Sequence, residues 1–140
     1  RDGTVYLGFY GGEDWFVMPK DAMDSEGKRL SSTFNEAVEY TTKLETHGHK
    51  DWRLPPGDRD KEEPNILGKM YEYRHTGAFD GTYDESGSEA FSSYWSSTPY
   101  ITRVCNTRQD FSTGEVGEKH SAAKDNTCSF RCVRSQKRDW

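Results

Sequence analysis

Residues 33–48, TFNEAVEYTTKLETHG, carry the reading on which the rest of the fold is hung. Thr33 and Glu36 stand three apart, the spacing at which a threonine hydroxyl and a glutamate carboxylate cap each other's backbone at a helix start. Behind them Phe34, Ala37, Val38, Thr41 and Leu44 recur at helical spacing, so one face is apolar. Gly48 follows as the residue able to take the left-handed conformation that stops a helix. The stretch predicts a helix of about three turns laid on a core.

Working outward towards the N-terminus, residues 4–10 (TVYLGFY) are aromatic and β-branched and predict a strand. Gly11-Gly12 marks a turn, and residues 15–18 (WFVM), ended by Pro19, a second strand; together they form a hairpin. Residues 21–30 are charged and irregular, hence a loop. Towards the C-terminus, Asp51-Trp52-Arg53-Leu54 is a short extended piece halted by Pro55-Pro56. Residues 63–73 predict a second helix, with Pro64 in its first turn and Ile66, Leu67 and Met70 inward. Residues 80–89 form a Gly- and Ser-rich acidic loop. Strands are expected at 93–98, at 103–111 with a turn at Ser112-Thr113-Gly114, and at 127–134, with an exposed loop over 116–126. The order gives an α+β domain whose N- and C-terminal strands pair.

Composition bounds the function. A chain of 140 residues is one domain, taken as 1–140. Only 31% of residues are hydrophobic but 14% are aromatic, so a few large rings must anchor the core. A net charge of −5 disfavours phosphate backbones, and nucleic acid is excluded as a partner. No apolar run is long enough to span a membrane, and no secretory leader pattern is present. The start at Arg1 suggests a mature or excised fragment, and the domain is expected to be the C-terminal part of a larger protein. Cys105, Cys128 and Cys132 match no zinc spacing. Cys128 and Cys132 on one strand would stand roughly 13 Å apart, beyond disulfide reach. Any bridge therefore pairs Cys105 with Cys128 or with Cys132.

A series of short motifs runs through the chain in order: Asp2-Gly3-Thr4-Val5-Tyr6, His47-Gly48-His49-Lys50-Asp51-Trp52-Arg53-Leu54-Pro55, Tyr94-Trp95-Ser96-Ser97, Phe111-Ser112-Thr113-Gly114 and Arg131-Cys132-Val133-Arg134. The set resembles the DUF1566 family, also called the Lcl C-terminal domain family, over nearly the whole length. The resemblance implies a C-type-lectin-like fold, two helices packed on a twisted antiparallel sheet with long loops. It also implies a bacterial, archaeal or phage origin, with the protein at a cell surface, secreted or on a phage particle. The family's better-understood members look like glycan-binding surface adhesion modules. Where members often carry Ala-Trp ahead of the Phe-Ser-x-Gly motif, this chain has Asn106-Thr107. Residues 101–105 and 118–126 look like arbitrary side chains between fixed motifs, as in variable proteins diversified by retroelements.

Candidate sites follow. Glu63-Pro64-Asn65 spells the triplet of calcium-dependent mannose lectins, but at a helix start, where capping chemistry accounts for it. His47 and His49 could share a metal, but lack an evident third ligand and read as scaffold. Asp80, Asp84, Glu85 and Glu89 could hold a structural calcium, against the alternative of a solvated acidic loop. Trp52 and Trp95 are assigned to the core, and Tyr100 to an exposed strand end. No catalytic order of Ser, His and Asp and no phosphate-cradling loop appears, so no enzyme is expected. The expected function is non-catalytic binding of an extracellular protein or carbohydrate. The contact face would comprise Tyr100, Ile101, Arg103, Cys105, Asn106, Thr107, Arg108, Asp110, Glu118, His120, Lys124, Asn126 and Ser129, with arginines gripping carboxylate or sulfate. A glycan adhesin and a trimerising fibre-tip domain are the alternatives, and the domain type leaves room for a homo-oligomer.

Overall fold

The hairpin forms as β1 (Val5–Tyr10) and β2 (Glu13–Val17), antiparallel across Gly11 and Gly12. Both glycines have left-handed φ, which matches the turn to the strands' twist. The computed structural model describes residues 3–58, 60, 62–99, 105–120 and 126–137, and of residues 89, 90, 119 and 120 the backbone alone. The predicted pairing of the chain ends occurs between β2 and β6 (Val133–Lys137), so the first sheet has the order β1-β2-β6. A second sheet is built from β3 (Ser93–Pro99), β4 (Cys105–Asp110) and β5 (Val116–His120) in that order.

The architecture is α+β, with two small antiparallel three-stranded sheets where one twisted sheet was expected. The division has a local cause. The last strand begins at Val133 rather than 127, because residues 128–132 spread their backbone hydrogen bonds over separate segments. Cys128 bonds with Ser32, Ser129 with Ser93 and Trp95, Phe130 with Ala22 and Cys132 with Met18. β5 occupies part of the segment expected to be loop. Its sequence lacks apolar alternation because its order comes from the hydrogen-bonded register with β4.

α1 (Phe34–Lys43) starts with the predicted capping box, Thr33 N–H donating to Glu36 Oε1 at 2.9 Å and Glu36 N–H to Thr33 Oγ1 at 3.3 Å. Ala37 and Thr41 are buried, with Phe34, Tyr40 and Leu44 packed beside them. Val38 points outward at 37% exposure, and Tyr40 takes the inward place expected for it. The helix ends on extended Leu44 rather than at Gly48. Gly48 instead forms, with left-handed His47, the two-residue turn of a small hairpin closed by Thr46 and His49. α2 (Ile66–Glu72) buries Ile66, Leu67 and Met70 as expected. Its cap is Asn65, whose Oδ1 accepts from Gly68 N at 2.9 Å, so Pro64 precedes the helix rather than lying in its first turn. A 3-10 turn (Gly77–Phe79) and the single-turn α3 (Glu89–Ser92) flank the acidic loop. No helix among the described residues is long and apolar enough to cross a membrane.

The core falls into two clusters on either side of β3. Successive strand residues face opposite ways, and Tyr94 and Trp95 use this to serve both. Tyr94 packs with Trp15, Ile66, Leu67 and Phe111. Trp95 packs with Ala37, Trp52, Leu54 and Phe130. β3 is thus enclosed on both faces and carries the register of the second sheet.

Candidate functional site

The motif residues hold one another. Arg53 and Val133 exchange two backbone hydrogen bonds of 2.8 Å. On either side of this bridge, Arg134 grips Asp51 with two contacts, at 2.8 and 3.2 Å, and Arg53 grips Glu63 at 2.9 and 2.5 Å. Arg53 also lies over the Trp15 ring. The Pro55 carbonyl accepts from Ser97 N and the Pro56 carbonyl from Leu67 N, which ties the proline pair to β3 and α2. Gly57 then passes so close to β3 that a Cβ there would stand 2.7 Å from Ser96 Cβ. His47 and His49 set their ring edges against Trp52. These motif residues therefore build the scaffold and leave the ligand site to be sought elsewhere.

A buried ion pair sits at the centre of the molecule. Arg131, fully enclosed, donates from Nε to Asp21 Oδ1 at 2.8 Å and from its other nitrogens to Thr82 Oγ1 and the Thr82 carbonyl, and stacks on Tyr83. Asp21 Oδ2 accepts from Tyr94 Oη at 2.5 Å and from Arg29 Nε at 2.7 Å. Burial, and then the Asp21 carboxylate, push the Tyr94 phenol well above its ordinary range. No local pattern in the sequence marks Asp21, which stands 110 residues from Arg131 inside a stretch read as loop.

The expected contact face divides on inspection. Ser129 is fully buried, with its hydroxyl donating to the Phe91 carbonyl. Thr107 is buried against Ser96, the two hydroxyls hydrogen-bonded, and Asn106 is buried with its amide near the Thr98 carbonyl. The side chains of these three are enclosed, not on the outer surface where the contact face was expected. Asp110 accepts from Ser112 N and Oγ and so shapes the turn that follows β4. Cys105 and Asn126 are half-buried and Glu118 is exposed. His120 is described by backbone alone, and Tyr100, Ile101, Arg103 and Lys124 lie outside the described residues.

Arg108 stands apart. Of the six described arginines, Arg29, Arg53, Arg74, Arg131 and Arg134 each pair with a carboxylate, and Arg108 with none. It lies half-buried across Gly117, its register partner on β5, with Nη2 3.3 Å from where a Cβ would stand. Its nearest hydrogen-bonding atom is Ser93 Oγ at 3.5 Å, and its buried Nε has no partner. A guanidinium in this setting offers a planar fork to an incoming carboxylate or sulfate.

The other candidates have occupants. Asp84 is held by Arg29 and accepts from Ser86 and Ser92, and Glu85 is held by Arg74 and His75. Among the described residues no three His, Cys, Asp or Glu side chains converge on one point. None of the three cysteines is disulfide-bonded. Cys132 borders a pocket of about 180 Å³ between α1 and residues 18–23, and burial pushes its thiol up to about 12, so it is protonated at neutral pH. No model of a known protein family matches the chain, and a search of curated proteins found no match either.

Proposed function

We propose that the chain is a non-catalytic ligand-binding domain of C-type-lectin-like fold that presents the β4–β5 end of its second sheet, and that Arg108 anchors an anionic oxygen group of the ligand. The observation that carries this reading is the contrast among the arginines. Five of the described arginines are paired with carboxylates within the molecule, and the sixth lies on β4 with a donor unsatisfied. An unpartnered buried donor costs roughly 1–3 kcal/mol, a cost that a scaffold role does not explain. The strand beneath Arg108 is fixed by pairing on both sides, which favours preorganised contact. The net charge of −5 opposes long-range attraction of anions, so recognition acts at contact distance within a Debye length of about 8 Å. The resemblance to surface adhesion modules supports a ligand outside the cell.

The test is an array of sialylated and sulfated glycans together with acidic peptides, probed with the native chain, Arg108→Ala and Arg108→Lys. At least one anionic probe should bind the native chain. Its affinity should fall about tenfold or more, about 1.4 kcal/mol, in both variants, since lysine keeps the charge but not the fork. Undiminished binding by Arg108→Ala rules the proposal out. Glycan hits would favour an adhesin, and peptide hits a receptor-binding domain.

A further inference from the structure

The pocket of about 180 Å³ between α1 and residues 18–23 is a recess of graded depth. Cys132 at 2% and Ala22 at 7% exposure form its floor. Met18, Tyr40 and Leu44 are half-buried along its walls, and Met23, at 39%, stands at its mouth. The walls are held in place. Met18 N–H donates to the Cys132 carbonyl at 3.0 Å and Ala22 N–H to the Phe130 carbonyl at 2.9 Å. Met18 thereby continues the register of Val17 with Val133 and faces Cys132 directly across it. Burial keeps the Cys132 thiol protonated at neutral pH, so the floor carries no charge. Asp21 also borders the pocket, but its carboxylate is occupied by Arg131, Arg29 and Tyr94, and Asp84 holds Arg29 as well. That cluster of two arginines and two aspartates is neutral. Lys20 is exposed at the rim and pairs with no carboxylate among the described residues.

We infer that this pocket binds a small aromatic carboxylate, with its single ring among Met18, Met23 and Cys132 and its carboxylate at Lys20. Size sets the ring count. An apolar cavity of about 150 Å³ admits a benzene ring, whereas sites for larger ligands run to roughly 300–1,000 Å³. A nucleotide, a long acyl chain and a disaccharide are therefore too large. The lining sets the chemistry. Apolar walls would leave sugar hydroxyls without partners. Of the chain's three methionines and three cysteines, Met18, Met23 and Cys132 meet here. Sulfur makes favourable contacts with the edge of an aromatic ring, and methionine adapts its shape to fill the space around one. Charge sets the substituent, because the rim offers a lysine and the one carboxylate on the wall is neutralised. The pocket is separate from the β4–β5 face, and the inference does not depend on Arg108.

NMR of the methionine methyl groups tests it, since Met70 is buried in the other core cluster and serves as the internal control. Phenylacetate, added to about 10 mM, should shift the Met18 and Met23 methyl signals by the ring's own field and leave Met70 in place. Cyclohexylacetate, which lacks the π system, and benzylamine, which reverses the charge, should each bind at least about threefold more weakly. Lys20→Ala should weaken phenylacetate about threefold, the scale of an exposed ion pair, and so erase its advantage over benzyl alcohol. Ala22→Leu, which fills the floor, should abolish the shifts. Circular dichroism establishes that Ala22→Leu is folded, and Lys20→Ala, at an exposed position, carries the test should it not be. Met18 and Met23 signals that stay still, or that move no more than Met70, overturn the inference. So does binding of benzylamine equal to that of phenylacetate. Tighter binding of N-acetylphenylalanine amide than of phenylacetate overturns it too, since the occupant would then be a side chain of a protein partner.

Discussion

Two arginines in this chain have opposite stability roles, although neither is exposed. Removing Arg131 takes the buried cation from Asp21 Oδ1, because Arg29 and Tyr94 reach only Oδ2, and takes the donor from Thr82 Oγ1. Arg131→Met should cost roughly 3–5 kcal/mol, the range for breaking a buried pair by taking one partner, seen as a lower urea midpoint. Arg108→Met removes a buried Nε that has no partner at the loss of one long contact to Ser93, so its midpoint should stay level or rise. Asp51 supplies the pH dependence. Hydrogen bonds from Arg134, opposed by partial burial, hold its carboxyl below the usual carboxylate range. A depressed folded value contributes stability that is complete above the unfolded value near about 3.9 and is lost as pH falls through the folded one. Asp51→Asn should therefore be less stable at pH 6 and should show a shallower loss of urea midpoint between pH 4 and pH 2 (both about the carboxylate range). The thiols provide a third check. A colorimetric thiol reagent should modify half-buried Cys105 in the native protein, and should reach Cys128 and Cys132 only on unfolding.

Elements with a local signal were legible, and those held by distant partners were not. The capping box of α1 and the glycine turn of the β1–β2 hairpin are complete in a few neighbouring residues, and both formed where expected. β5 was missed because Val116-Gly117-Glu118-Lys119-His120 takes its order from β4 and shows no alternation of its own. The opposite error occurred over 127–132, where β-rich composition suggested a strand but the backbone bonds pass among Ser32, Ser93, Trp95, Ala22 and Met18. Turn glycines set by tertiary contact carry a testable cost. Gly114 has φ +82°, and a Cβ there would stand 2.8 Å from the Tyr71 ring, which packs on Phe111. Gly114→Ala should lose at least about 1–2 kcal/mol, the penalty of a left-handed conformation for an L-residue. Gly27→Ala, at φ +78° with nothing near its Cβ, should show that penalty alone and so lose less.

At the scale of the whole molecule, the ordered motifs hold one another and distant residues: Asp51 with Arg134, Arg53 with Val133, Tyr94 with Asp21 of the Asp21–Arg131 pair, Trp95 with the Ser32 carbonyl. Sequence could order these motifs but could not pair them, since the contacts span most of the chain. For the same reason it could not tell that Asn106, Thr107 and Ser129 face inward, nor that Arg108 alone among the described arginines lacks a carboxylate. The functional account rests on that last contrast. It is tested most directly by following the arginine Nε–Hε NMR signals while 3′-sialyllactose, a heparin-derived tetrasaccharide and an acidic peptide are added in turn. The account predicts that the Arg108 signal moves with at least one of these probes while those of Arg29, Arg53, Arg131 and Arg134 hold still. An Arg108 signal unmoved by all of them, or displaced no more than the paired arginines, would contradict it.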